Sequence, residues 1–418
     1  MIVKKNPNFM WASSRRGCRL SSKAVAMIAC LLFSLVGFKA KAEDFGPCEI
    51  ETTAPEAIIQ ALDSILSSAV DPKSEGGQAF GTAPGAVLSV RAPGWRYAKS
   101  IGLADPDEGS PIDCRMPFQI GSNTKMMTAT VLLQLQEEKM LSLDDLLSRH
   151  LPTIARQLPN GDSITLRQLA QHNSGVFSYT DNAPDGTPGI MEADVTDPAA
   201  LRAGYRPQEL VQFAIDHGTP SFAPGTEGAW AYSNTGYILI GIIIESIEDK
   251  SLAEVFETRI FVPLGMQDTF FWNDVPRPDF GLARAYLQAP FDYETSDWNM
   301  SQGWAAGGVI STVEDMHRFI EALVSGDLYR SSETLTLMQQ TMWTGSLTAP
   351  YYGIGLVEKV GDGLWGHGGQ TLGFESDVAA FEQSGVSIVG WASSSNNIMA
   401  LGAAAVAEAL HKSGLESN

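Results

Sequence analysis

The chain has 418 residues, 44% of them hydrophobic and 18% charged, with 40 glycines and 22 prolines. That balance belongs to a globular protein with a large core and excludes a disordered tail, a collagen-like repeat and a long coiled coil. Lys and Arg total 28 against 48 Asp and Glu, a formal charge of −20 that repels phosphates and argues against nucleic acid as a partner.

Residues 1–42 carry basic side chains and no acidic one. A basic stretch, an apolar run over 24–38 and then Ala40-Lys41-Ala42 form the pattern of a secretory leader cleaved after Ala42. A membrane anchor is the alternative reading, but the run falls short of the roughly 18 apolar residues of a spanning helix. The chain is therefore expected outside the cytoplasm, periplasmic or secreted, with no membrane anchor after cleavage. In that setting Cys48 and Cys114 are expected to pair as a disulfide, two buried free thiols being the alternative.

Apolar spacing next predicts a helix over 53–69, capped by Thr52 or Thr53. Residues 84–104 read as two short strands around Pro93-Gly94. A strong helix is expected from Ser122 to about Met140, with further helices near 143–150, 165–171, 208–216, 234–249 and 252–260. Residues 176–206, rich in Gly, Pro and Asp, read as one long loop. Helices at 312–324 and 332–341 precede strands at 352–359, 363–367, 375–383 and 386–393, and a helix over 399–412 closes the pattern. Strands at both ends with helices between them predict an α/β chain of the α+β type. Its antiparallel sheet, flanked by terminal helices, would draw on 43–120 and 305–418. A mainly α-helical lobe with substrate loops would occupy 121–304.

No G-x-S-x-G, H-E-x-x-H, C-x-x-C or P-loop pattern occurs, and the six histidines have no ligand spacing, so no metal or cofactor is expected. Ser122-Asn123-Thr124-Lys125 opens an apolar helix. Three residues are nearly one turn, so serine and lysine share a face. A lysine in apolar surroundings loses proton affinity and can help take the serine proton. The helix N-terminus adds positive potential there. By itself the pattern reads first as a serine cap with a solvated lysine.

Tyr232-Ser233-Asn234 joins a loop to an apolar helix. A tyrosine beside a lysine cation is expected to have a lowered pKa and to serve as general base. The Asn234 amide can bond the serine, the lysine or a substrate, and the plain alternative is a turn aromatic followed by a helix cap. Trp365-Gly366-His367-Gly368-Gly369-Gln370 closes a predicted strand. Its glycines would let a substrate backbone lie close, and an N–H there could join that of Ser122 as an oxyanion hole. Standing alone, it would read first as a glycine-rich hairpin with a solvated histidine.

Taken together, Ser122-x-x-Lys125, Tyr232-x-Asn234 and His367-x-Gly369 resemble the serine penicillin-recognising enzymes in order and spacing. That family holds class C β-lactamases, DD-carboxypeptidases, D-aminopeptidases and β-lactamase-like esterases. Gln168-Leu169-Ala170-Gln171-His172-Asn173-Ser174-Gly175, Pro263-Leu264-Gly265-Met266 and Ala306-Gly307-Gly308 are similar to it too, so the resemblance spans about 55–412. It implies a β-lactamase/transpeptidase-like architecture, acylation of Ser122, and proton work shared by Lys125 and Tyr232. It also implies substrate orientation by Asn234, an oxyanion hole from the N–H groups of Ser122 and Gln370, and Tyr179-Thr180-Asp181 at the pocket mouth. The implied function is an exported serine hydrolase acting through an acyl-enzyme. Its small-molecule or peptide substrates would be D-amino-acid peptides or related amides and esters, as for a D-alanyl-D-alanine carboxypeptidase. A carboxylesterase or D-aminopeptidase is the alternative, a β-lactamase ranks lower, and a non-catalytic binding protein lowest.

The sequence departs from that pattern where many β-lactamases carry Lys-Thr-Gly and this chain has His367-Gly368-Gly369. The threonine hydroxyl that helps bind a substrate carboxylate is gone, and Lys359 is the remaining candidate cation. Uncharged esters and amides are therefore expected to react at least as well as free acids. With His367 near its reference pKa, lowering the pH toward 6 is expected to improve binding of the acids.

Overall fold

Pro93-Gly94 turns the chain between Gly85–Ala92 (β1) and Trp95–Asp105 (β2), and Gly94 there adopts a φ of +89° that favours glycine. The computed structural model describes residues 46, 48, 50–73, 82–272, 281–287, 293–346, 349–360, 363–395 and 402–412; the expected leader and its cleavage site lie outside them. β1 pairs on its other edge with Ser387–Ala392, so strands from opposite ends of the chain share one sheet. In chain order the remaining strands are Ser110–Pro111 (β3), Met342–Trp343 (β4), Tyr351–Tyr352 (β5), Val357–Glu358 (β6), Leu364–Gln370 (β7), Glu375–Phe381 (β8) and Ser387–Ala392 (β9). The nine strands run β3-β2-β1-β9-β8-β7-β6-β5-β4, with every pairing antiparallel.

Both faces of the sheet centre are covered, which explains why β1 and β9 are apolar runs rather than alternating ones. Glu56–Ser68 (α1) and Ala403–Lys412 (α6) lie on one face, where Ile58, Leu62, Leu66, Val406 and Leu410 pack on Leu88, Val90, Tyr97 and Ile388. Val313–Ser325 (α5) packs on the other face through Met316, Phe319 and Ile320, part of the core that also holds Thr124–Glu137 (α2). Each such fully buried aliphatic or aromatic side chain contributes about 1.5–3 kcal/mol. α2 is buried nearly all round, from Thr124 to Leu133 without a break. An apolar circumference of that kind places a helix inside the protein rather than on its surface. Asn234–Glu248 (α4) and Trp304–Gly307 pack against it, and Pro207–His217 (α3) packs in turn on α4.

Several expectations are corrected by tertiary pairing. Thr52 and Thr53 do not cap α1: Thr52 Oγ1 donates to Ala98 O and accepts from the Ala98 N–H, and Thr53 Oγ1 accepts from the Arg96 N–H. They cover the outer edge of β2, and α1 begins behind Pro55, which has no side-chain cap to offer. The helix expected from Ser122 starts as a 3₁₀ turn, Gly121–Asn123, becomes α-helical at Thr124 and ends at Glu137. The stretch 176–206 is not loop throughout, because Ile190–Thr196 and Pro198–Arg202 are short helices. β7 runs on to Gln370 because β8 pairs with its whole length, so His367 lies within the strand. The expected strand over 352–359 is split into β5 and β6 at Gly355, whose φ of +68° no ordinary side chain favours. Among the described residues no helix is long and apolar enough to cross a membrane.

Cys48 and Cys114 lie with Cα atoms 5.3 Å apart, joined as a disulfide across 66 residues. Non-reducing mass spectrometry should recover the two cysteines in one linked pair of peptides. Reduction should lower stability by about 4 kcal/mol in the chain-entropy picture. Two alkylatable thiols at these positions would contradict the bridge.

Candidate active site

Two glycines let β7 and the Ser122 turn meet backbone to backbone. Gly121 sits at φ +52°, and a Cβ there would stand 2.7 Å from Gln370 N. A Cβ on Gly369 would stand 1.9 Å from Ile120 O and 2.6 Å from Asn123 Nδ2. No side chain fits either gap. Asn123 then locks the turn, its amide donating to Ile120 O and to Ser376 Oγ, each at 2.9 Å. Ser122 is thereby held between a buried helix and the exposed end of a strand.

Lys125 is wholly buried. Its Nζ lies 3.0 Å from Ser122 Oγ, 2.7 Å from Asn234 Oδ1 and 2.7 Å from Ala306 O. None of these partners is a carboxylate. The amine also sits 4.8 Å from the Tyr232 ring centroid and 5.4 Å from that of Tyr237. Burial holds its pKa well below the ordinary lysine value. A neutral amine suits this cage: two N–H bonds go to the two carbonyl oxygens, and the lone pair faces the serine hydroxyl.

Tyr232 places its hydroxyl against that of Ser122. The expected lowering of its pKa is overturned, because burial pushes the phenol up. Tyr232 therefore stays a neutral phenol at physiological pH. Asn234 has both ends of its amide engaged, Oδ1 by Lys125 and Nδ2 by Thr180 Oγ1 at 3.0 Å. One N–H of Nδ2 remains for another acceptor.

The other candidates are placed differently from the sequence reading. Tyr179 is 1% exposed, and its hydroxyl is turned away to the carbonyl of Gln302. Thr180, not Tyr179, reaches the catalytic candidates. His367 is also buried; its Nε2 lies 3.0 Å from the Tyr352 hydroxyl and its Nδ1 2.5 Å from Gly368 O. Both ring nitrogens are spent on the protein rather than left for a ligand. Burial, with the Lys359 ammonium nearby, pulls its pKa down to about 3, so the expected protonation near pH 6 is overturned. The space beside Gly369 is filled by Ile120 and Asn123 rather than by substrate. Gly368 is registered opposite Asp377, and Gln370 is exposed at the strand end against Gly121. Lys359 is buried in an ion pair with Asp377, 2.5 Å, which removes it as a free cation for a substrate carboxylate.

His172 was legible only as part of a family-like phrase, yet it is central to the geometry. Its Nδ1 accepts the Ser233 N–H at 3.1 Å, which puts the neutral-state proton on Nε2. Its ring lies 4.3 Å from the Tyr232 ring and 4.7 Å from the Tyr352 ring. Burial lowers its pKa as well. Among the described residues no group of His, Cys, Asp and Glu is gathered as a metal site.

Comparison with known proteins gives the family. The model of the beta-lactamase family matches residues 74–411. Penicillin-binding protein 4* of Bacillus subtilis is 28% identical over 255 residues, covering 58% of this chain and 52% of that protein. The D-alanyl-D-alanine-carboxypeptidase/endopeptidase AmpH of Escherichia coli is 29% identical over 269 residues, 62% of this chain and 63% of its own. The chain thus spans between about half and two thirds of the length of these curated relatives. A D-stereospecific amidohydrolase from Streptomyces sp. superposes with a TM-score of 0.68 at 32% identity, covering 84% of this chain and 97% of that one. D-amino acid amidase from Ochrobactrum anthropi SV3, complexed with L-phenylalanine amide, has a TM-score of 0.70 at 25% identity, covering 86% and 98%. The chain belongs to the beta-lactamase family, a family of serine hydrolases with a mixed α/β fold.

His367 generates a test that needs no substrate. Its folded pKa lies below the unfolded value, so the unfolded chain binds the proton more tightly. Its contribution to stability is complete above about pH 6.5 and is lost as the pH falls toward 3. The His367 ring resonances should not titrate between pH 8 and 5. His367→Gln should flatten the fall in unfolding free energy between pH 6 and 4 by about 1.4 kcal/mol per pH unit. A His367 titration near pH 6.5 would contradict its burial.

Proposed function

We propose that this member of the family is an exported serine hydrolase that cleaves amides, and related esters, of D-amino acids and short D-peptides through an acyl-enzyme on Ser122. The observation that carries the reading is the buried Lys125 amine 3.0 Å from Ser122 Oγ with no carboxylate to hold a proton on it. The D-amino-acid substrate class draws on the likeness to the Streptomyces and Ochrobactrum amidohydrolases, which span nearly their full lengths. Export draws on the basic, apolar and small-residue pattern that ends at Ala42.

In the proposed cycle, Ser122 Oγ attacks the substrate carbonyl carbon while its proton passes to Lys125 Nζ. Negative charge develops on the carbonyl oxygen, which the N–H groups of Ser122 and Gln370 receive. Donors of this kind are typically worth about 10²–10³ in turnover each. The C–N bond then breaks. The leaving nitrogen takes the Tyr232 hydroxyl proton, and Lys125 returns its proton to Tyr232. Water next attacks the acyl carbon and gives a proton to Lys125. The acyl bond to Ser122 Oγ breaks and the proton returns to the serine, so protons balance over the cycle. A tyrosine with a raised pKa suits this relay, because it carries a proton at the start of each step.

The pairing of Lys359 with Asp377 and the neutral, buried His367 favour uncharged substrate ends over a terminal carboxylate. That sets the amidase or aminopeptidase reading above a DD-carboxypeptidase. Ser122→Ala should lose several orders of magnitude in turnover and all labelling by a fluorescent phosphonate. Lys125→Arg should be equally inactive, since a guanidinium does not give up its proton. For a matched amide and free acid, kcat/KM should favour the amide or be equal at pH 8. Contrary to the behaviour of a titrating histidine, the acid should gain nothing through His367 at pH 6. A preference for the acid of about 100-fold, roughly 2.7 kcal/mol, would overturn the substrate reading and restore the carboxypeptidase.

A further inference from the structure

Among the described residues, Asp181 is a carboxylate joined to Lys125 by a short run of side chains. Lys125 donates to Asn234 Oδ1, Asn234 Nδ2 donates to Thr180 Oγ1, and the Thr180 hydroxyl in turn interacts with the Asp181 carboxylate. Exposure rises along that run: Lys125 is buried, Asn234 and Thr180 are half-buried, and Asp181 is exposed. The run leads from the reacting centre toward solvent and ends in a carboxyl group whose pKa partial desolvation raises to about 6, so that it is charged above pH 7.

The position is built rather than loose. The Asp181 N–H donates to Ser178 O at 3.0 Å, and Ser178 Oγ accepts the Asn234 N–H at 3.1 Å, tying the segment to the start of α4. Gly189 packs against the carbonyls of Thr180 and Asp181, where a Cβ would stand 2.4 Å and 2.6 Å away. The neighbouring charges are occupied elsewhere. Glu192 holds Asn182, Asp185 pairs with His217, and Arg206 pairs with Glu209. Among the described residues no ion pair includes Asp181. An ordinary solvated aspartate would need neither the Thr180 hydroxyl nor a backbone fixed on both sides.

We propose that Asp181 receives the free α-ammonium group of the substrate, so that the enzyme acts on D-aminoacyl amides, esters and short peptides with an unblocked N-terminus. This rests on the reading of the site as a D-amino-acid amide hydrolase and narrows it. In such a substrate the α-nitrogen is two bonds from the carbonyl carbon that Ser122 attacks, and in this assignment it points to the Asn234 and Thr180 side of that carbon. An ammonium there gains a charge-assisted bond to a carboxylate with no ion-pair partner of its own. An N-acylated substrate offers no charge, and a carboxylate on that side meets repulsion. The charge of −20 on the chain adds a long-range preference of the same sign.

The test measures kcat/KM for D-phenylalanine methyl ester against its N-acetyl counterpart, and for the two matching amides, in the full chain and in Asp181→Asn and Asp181→Glu. The ratio within one preparation is the readout, because loss of folded enzyme lowers both members equally. The free-amine compounds should be preferred by about 30-fold or more. Asp181→Asn should bring the ratio to within a few-fold, mainly through KM, and Asp181→Glu should retain part of it. Equal use of the acetylated compounds by the full chain, or an unchanged ratio in Asp181→Asn, would overturn the assignment while leaving the hydrolase reading standing. Turnover of nitrophenyl acetate with none of any D-phenylalanine derivative would instead overturn the D-amino-acid reading and the role of Asp181 with it.

Discussion

A lysine amine sealed in the protein interior without a carboxylate partner is the constraint on which the rest of this structure depends. Burying a charged ammonium costs several kcal/mol unless it is paired. Lys125 meets only neutral oxygens, those of Ser122, Asn234 and Ala306, and the faces of two tyrosine rings. The protein thus stabilises the neutral amine. Each surrounding feature serves that state. The apolar circumference of α2 keeps water out, α4 brings the Asn234 carbonyl, and the 304–307 turn brings the Ala306 carbonyl. The neighbouring phenol and imidazoles are neutral for the same reason, and this leaves Tyr232, His172 and His367 without a competing charge.

The second constraint is proximity of backbones. Ser122 can stand beside the end of β7 only because Gly121 and Gly369 remove both side chains at the contact. The antiparallel pairing of β7 with β8 carries Ser376 to the Asn123 amide, so the register of the sheet sets the position of the turn. Local unit and global sheet are therefore coupled: the proposed nucleophile belongs to a helical turn, but its orientation is set through a contact between Asn123 and Ser376, 253 residues apart in the chain. Gly369, first read as room for substrate, is needed for this contact.

What the sequence revealed and what it hid divide along physical lines. Ser122, Lys125, Tyr232 and Asn234 were legible because local spacing on a helix and at a helix entrance carries the signal, and the structure brings those four together. The sheet with its terminal helices was legible from the two ends of the pattern. His367 was misread because its protonation depends on burial, which the strand register and the packing of Tyr352 produce without leaving a mark in its own neighbourhood. Lys359 was misread for the same reason, since Asp377 reaches it from β8. Thr52 and Thr53 have good cap chemistry but found a strand edge first. Tyr179 and Thr180 are adjacent in sequence, and only the packing against Gln302 decides which of them faces the site.

The most direct test is the protonation state of Lys125 itself. With lysine labelled at Cε, the Lys125 resonance can be assigned by its loss in Lys125→Arg and followed from pH 5 to 11. The expected midpoint lies well below the ordinary lysine value of about 10.4, with the neutral form dominant at the pH of maximal turnover. A Lys125 resonance that stays at the charged position until pH 10 would contradict the neutral amine and remove the proton acceptor from the proposed cycle.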